Sequence, residues 1–116
     1  MMKTKGVKPA DWTAFFDAFS RRHQGRLVRL LVLDPKLGAQ VEALQVPLQG
    51  VVADRHSRGI TIQVGARQGG VAHTVRDPRR VWVELADEGS EAAIEIESAD
   101  GTKSIVEFQE AAPHGL

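Results

Sequence analysis

The sequence predicts a mainly β member of the α+β class. One N-terminal helix packs on a strongly bent antiparallel sheet, which closes into a small barrel and carries an added C-terminal hairpin. Two observations lead there. Trp12, Phe15, Phe16 and Phe19 fall at i, i+3, i+4 and i+7, the spacing of one helical face. After Gly25 the apolar period switches to two and stays there. An open sheet with the helix across one face is the alternative. The 116 residues suit a single domain, read as residues 9–110 between a mobile basic tail, 1–8, and a C-terminal tail, 111–116.

The elements follow in order. Pro9 suits a first helical turn, Asp11 is an N-cap or first-turn acid, and Arg21, Arg22 and His23 place positive charge in the last turn, before Gly25. Residues 26–33 are apolar on both faces, as in a central or barrel-closing strand. A long extended segment, 39–56, follows the turn at Asp34 and Pro35; Pro47 marks an edge and Gly50 a bulge. Residues 60–64, 71–76 and 79–86 are further strands. A two-residue loop at Glu88 and Gly89 sets Leu85 opposite Ala92, Val83 opposite Ile94 and Val81 opposite Ile96. A three-residue loop with Gly101 left-handed sets Ile94 opposite Val106, Ala92 opposite Phe108 and Glu97 opposite Lys103.

Composition narrows the function classes. There is no cysteine, so no disulfide framework, thiolate nucleophile or cysteine-bound zinc, and the expected setting is cytoplasmic. The basic start has no apolar stretch behind it, so it does not read as a signal peptide. No apolar run approaches the roughly 20 residues that span a bilayer. The formal charge is zero but divided. Residues 1–80 carry 14 Lys and Arg against 6 acids, a net of +8; residues 81–116 carry Lys103 against nine acids, a net of −8. Such a split suits either a basic face for a polyanion or neutralisation within the fold or an oligomer.

Few residues carry chemistry. Asp54 and His56, two apart on a strand end, are half of a metal site without an obvious third ligand. His73 shares a face with Val71 and Val75, and a short connection would set it opposite Val83. As a catalytic base, with Asp77 the nearest acid in sequence, it lacks a nucleophile motif. Arg55 and Arg58 flank one turn, and Arg76, Arg79 and Arg80 flank a proline turn. Their planar forks suit phosphate or carboxylate, whether on a ligand or on Glu84, Glu95 and Glu97. Trp82 alternates away from Val81 and Val83, so it is either an outward contact anchor or covered by the helix. No cofactor fingerprint is present, so none is expected.

Several stretches are distinctive: 12–21 (Trp-Thr-Ala-Phe-Phe-Asp-Ala-Phe-Ser-Arg), 37–43 (Leu-Gly-Ala-Gln-Val-Glu-Ala), 46–50 (Val-Pro-Leu-Gln-Gly) and 94–101 (Ile-Glu-Ile-Glu-Ser-Ala-Asp-Gly). Together they resemble an uncharacterised bacterial family of short single-domain proteins, a domain of unknown function, over residues 9–108. That resemblance implies a self-contained domain and no assigned site residues. A second resemblance is architectural. A short helix, a first strand, 48–54, 60–64, 73–75 and Val81 follow the order of Sm-like barrels, with the bacterial RNA chaperone of that class as the nearest comparison. It implies an SH3-like barrel. The chain departs from it by an insertion before Pro47, by Ala72 where that pattern has a lysine, and by two strands after Ala86. Fold analogy does not give function.

The sequence therefore points away from an enzyme. It ranks a non-catalytic protein-interaction or scaffold module first, contacting itself or another protein through a sheet face. Residues 40–46 and 102–109 are the expected sheet edges. Polyanion binding, RNA or DNA, through Arg55, Arg58, Arg76, Arg79 and Arg80 with Trp82 ranks second. A small hydrolase using His73 and Asp77 ranks last.

Overall fold

The structure, a computed structural model, describes residues 3–56, 58–66 and 69–109. Its strands are β1 (Lys3–Val7), β2 (Leu27–Asp34), β3 (Gly38–Ala53), β4 (Ile60–Val64), β5 (Val71–Val75), β6 (Pro78–Leu85), β7 (Glu91–Ser98) and β8 (Lys103–Phe108). A 3-10 turn, Pro9–Asp11, runs into helix α1 (Trp12–His23). All strand pairs are antiparallel, in the order β1-β6-β7-β8-β2-β3-β4-β5.

The sheet bends because β3 changes partners along its length. Its first half pairs with β2 and its second half with β4. Gln45 takes a left-handed φ of 53° between the halves, and the β4 ladder skips a residue between Leu48 and Gly50. The second part of the sheet thus folds over the first, and α1 covers β3. Phe16, Phe19, Val28, Leu30, Val51, Ile62, Ile94, Ile96 and Val106 are fully buried in one core. The Ser20 hydroxyl accepts from the Val51 amide at 2.8 Å and donates to its carbonyl at 3.1 Å, which pins the helix to β3.

The sheet does not close into a barrel, so the SH3-like expectation is corrected to the open alternative. The reason lies in β1. Residues 1–8 were expected as a tail, yet Lys3–Val7 pairs with β6 from Lys3 opposite Leu85 to Val7 opposite Val81. With β7 on its other side, β6 has no edge left for β5. Consequently His73 lies opposite Ile62 on β4, not opposite Val83. The C-terminal tail, 111–116, lies outside the described residues.

The hairpin registers hold at their centres. Val83 faces Ile94, Val81 faces Ile96, Ile94 faces Val106 and Glu97 faces Lys103, with Gly101 at φ 89°. Leu85 differs: a bulge after Glu84 sets it opposite Glu91. The β7–β8 ladder begins at Ala93 opposite Glu107, one residue inside the expected Ala92–Phe108 pair. Of the two expected edges, residues 102–109 are overturned, because β8 lies between β7 and β2. Residues 40–46 do have β2 on one side alone among the described residues.

Candidate functional site

Three short segments meet at one end of the sheet. The first is the turn after β3. There the Asp54 carboxylate accepts from the His56 amide at 2.8 Å, and Arg58 is left-handed at φ 58°. The second is the two-residue link from β5 to β6, where Asp77 takes φ 51° and its carbonyl accepts from Ala99 at 2.9 Å. The third is the 3-10 turn with the start of α1. They enclose an open cleft of about 480 Å³ whose walls include Arg55, Arg58, Arg79, Asp54, Asp77 and Trp12. A neighbouring depression of about 310 Å³ holds Lys8, Arg79, Arg80 and Trp82. Pro9 and Arg79 belong to both.

The arginines expected from the sequence therefore converge in part. Arg55, Arg58 and Arg79 share the larger cleft, Arg80 lies in the adjoining one, and Arg76 lines neither. Pairing with the sheet glutamates is largely absent. Arg80 Nε lies 3.9 Å from Glu97, a loose pair. Among the described residues no hydrogen bond or ion pair engages the side chains of Arg55, Arg58, Arg76 or Arg79. Guanidiniums without a carboxylate keep their forks available to a planar or tetrahedral anion.

Trp12 shares the helical face of Phe15, Phe16 and Phe19 in the sequence but lies at the rim of the core. It is half-buried, packs against the core with its ring, and donates from Nε1 to the Val7 carbonyl at 2.9 Å. Its position at the first helical residue is the missed signal: an indole needs a hydrogen-bond acceptor, which favours a rim over a core. Trp82 faces outward, beside Gly6 on β1 and Glu95 on β7, and is covered by neither the helix nor the long β3 segment.

On that outer sheet face, Glu95 stands between Trp82 and Ile105. Burial pushes its carboxyl up; Glu84 and Glu97 add to this, and Lys103 opposes it.

The remaining candidates sit apart from the cleft or are already engaged. Asp54 and His56 lie in the turn, not on a strand face, and the carboxylate caps the turn. Among the described residues no group of three or more His, Asp or Glu is placed to hold a metal ion. His73 Nε2 lies 3.1 Å from the Ser104 hydroxyl, and burial lowers its basicity against a weaker pull from Glu42. Ser104 is 1% exposed on a central strand, so the pair braces β5 against β8. The Asp77 carbonyl ties the β5–β6 link to the β7–β8 turn.

No helix among the described residues is long and apolar enough to cross a membrane. An uncharacterized protein of Aquifex aeolicus (strain VF5) is 30% identical over 112 residues, covering 97% of each chain. No solved structure matches. A family model matches residues 3–114, which takes in β1, the cleft and every strand. The chain thus belongs to a family of unknown function, DUF5335.

Proposed function

We propose that this protein is a non-catalytic binding module that recognises a single-stranded nucleic acid through the arginine-lined cleft. One observation carries the reading: Arg55, Arg58 and Arg79 converge without carboxylate partners beside the Trp12 indole. Phosphates suit the guanidinium forks, and bases stack on indole faces; single-strand binders combine these two contacts. The adjoining depression repeats the combination with Lys8, Arg80 and Trp82. Asp54 and Asp77 are the acids lining the cleft itself; Glu84, Glu95 and Glu107 belong to the outer sheet face, where Glu95 stands opposite Trp82, and Glu91 is held by Arg22 and His23. This places polyanion binding ahead of the contact-module reading that the sequence ranks first. The Sm-like resemblance supports it only as analogy.

The test is fluorescence anisotropy with a labelled mixed-sequence RNA or DNA strand across a salt series. Micromolar binding is expected near about 100 mM salt, with a log–log slope of about −0.7 for each phosphate neutralised. An Arg55/Arg58/Arg79 triple alanine variant should lose binding while keeping its melting temperature. Binding unchanged in that variant, or absent even at low salt, overturns the reading.

A second reading has its own support. The uncovered outer face carries a row from Trp82 through Glu95, Ile105 and Leu31 to Val41, which suits contact with a protein, including a second copy. Val41 is 57% exposed at the end of that row. Sedimentation at high concentration checks self-contact: a clean monomer sinks that form of it.

A further inference from the structure

The helix covers the sheet unevenly. Its C-terminal half is pinned to β3 through Ser20, while β1 extends the sheet past β6 on the far side. A trough of about 590 Å³ remains between the α1 flank and the β1–β6 pair. Ala14 and Phe15 form one wall; Val7, Val83 and Leu85 form the other. Val7, Phe15 and Leu85 also pack on the core, so the walls are firmly backed. The volume lies within the range of about 300–1,000 Å³ typical of small-molecule sites.

The charges at its rim are unequal in availability. Lys5 lies opposite Val83, so it shares the face of β1 that carries Val7 toward the trough. Neither Lys5 nor Lys8 has a carboxylate partner among the described residues. Glu91, at one end, is already held by Arg22 Nη2 at 2.8 Å and by His23 at 2.7 Å. Asp11 remains as the single uncommitted acid lining it. We infer that this trough binds an amphiphilic anion, an aliphatic chain ending in a carboxylate, with the chain along Phe15, Val83 and Leu85 and the carboxylate at Lys5. The trough shares no lining residue with the arginine cleft, although Gly6, Val7 and Lys8 also border the adjoining depression; with the carboxylate at Lys5, the inference does not depend on the function proposed above.

Decanoate is the probe, with decyltrimethylammonium as the same chain carrying the opposite charge. Methyl signals of Val7, Val83 and Leu85 in the full-length protein report occupancy. Decanoate should saturate these shifts with a sub-millimolar dissociation constant, as befits a ligand of this size. The cation should bind at least about tenfold more weakly, the scale of one charge-assisted contact. Lys5→Gln should erase that difference. Ala14→Leu, a helix-compatible change at an exposed position, should fill the trough and abolish decanoate binding at an unchanged melting temperature. An inward lysine also guards a sheet edge against pairing. If that is its whole role, Lys5→Gln raises self-association and leaves decanoate affinity alone, which overturns the inference. Equal affinity for the cation, or no saturable shift by about 5 mM decanoate, does so too.

Discussion

His23 and Glu91 form a closed contact between the end of α1 and the start of β7: His23 Nε2 lies 2.7 Å from Glu91 Oε1. Arg26 Nη1 lies 3.0 Å from the other ring nitrogen, Nδ1. Arginine can only donate, so Nδ1 accepts and the proton is assigned to Nε2, which donates to Glu91. The imidazole is 8% exposed, with the Phe19 and Phe108 rings at 4.7 and 4.5 Å. Arg26 in turn covers Phe108 at 4.2 Å. One histidine thus joins α1, the link into β2, β7 and β8.

Glu91→Ala should cost about 1–3 kcal/mol, because it leaves a buried imidazole donor unmet. Glu91→Gln should cost less, since an amide oxygen still accepts. Burial alone would push the Glu91 carboxyl up; hydrogen bonds and charge from His23 and Arg22 outweigh it and leave it below its usual 4.5. Its contribution is therefore present above pH 4.5 and is lost as pH falls through the lowered value. Urea denaturation of both variants checks the order; equal stability of wild type and Glu91→Ala removes the latch.

Ser20→Ala should destabilise by about 1–3 kcal/mol, out of proportion to one oxygen, by orphaning the Val51 amide under the helix. Hydrogen exchange should report it most strongly at Val51. An unchanged exchange rate there would mean that water replaces the hydroxyl.

Phe19→Ala should cost about 3–5 kcal/mol through the cavity it opens in the core. The measurement is the denaturation midpoint. A variant that melts with wild type would show that the aromatic stripe is not what holds the helix down.

Glu95→Gln tests the outer face. Its carboxyl is raised mainly by burial, so its folded form holds the proton more tightly than the unfolded chain. Stability linked to Glu95 is then present below the ordinary carboxylate value of 4.5 and is lost as pH rises through the raised value. The variant should melt slightly above wild type at pH 7, and the gap should close below pH 4.5. The carboxylate is only partly buried and still reaches solvent, which keeps the effect small. A gap that does not vary with pH refutes this assignment.

Much of the fold was legible because it is local. The i, i+3, i+4, i+7 spacing places Phe16 and Phe19 on one face whatever lies beyond it. Period-two alternation and the left-handed need at Gly101 set Ile94 opposite Val106 without tertiary information. The arginine turns were legible too, as turns.

What the sequence by itself determined is the helix, the strands and most of the hairpin registers, since each rests on contacts between near neighbours in the chain. The tertiary structure alone decided the rest. Whether β5 or β1 takes the edge of β6 depends on competition between segments some 70 residues apart, which no local pattern records. The same competition opens the barrel. It also determines which arginines meet: Arg79 enters both depressions and Arg76 neither, although three positions separate them in sequence. His23 and Glu91 meet for the same reason, across 68 residues, because the helix end and the β6–β7 hairpin close on one core.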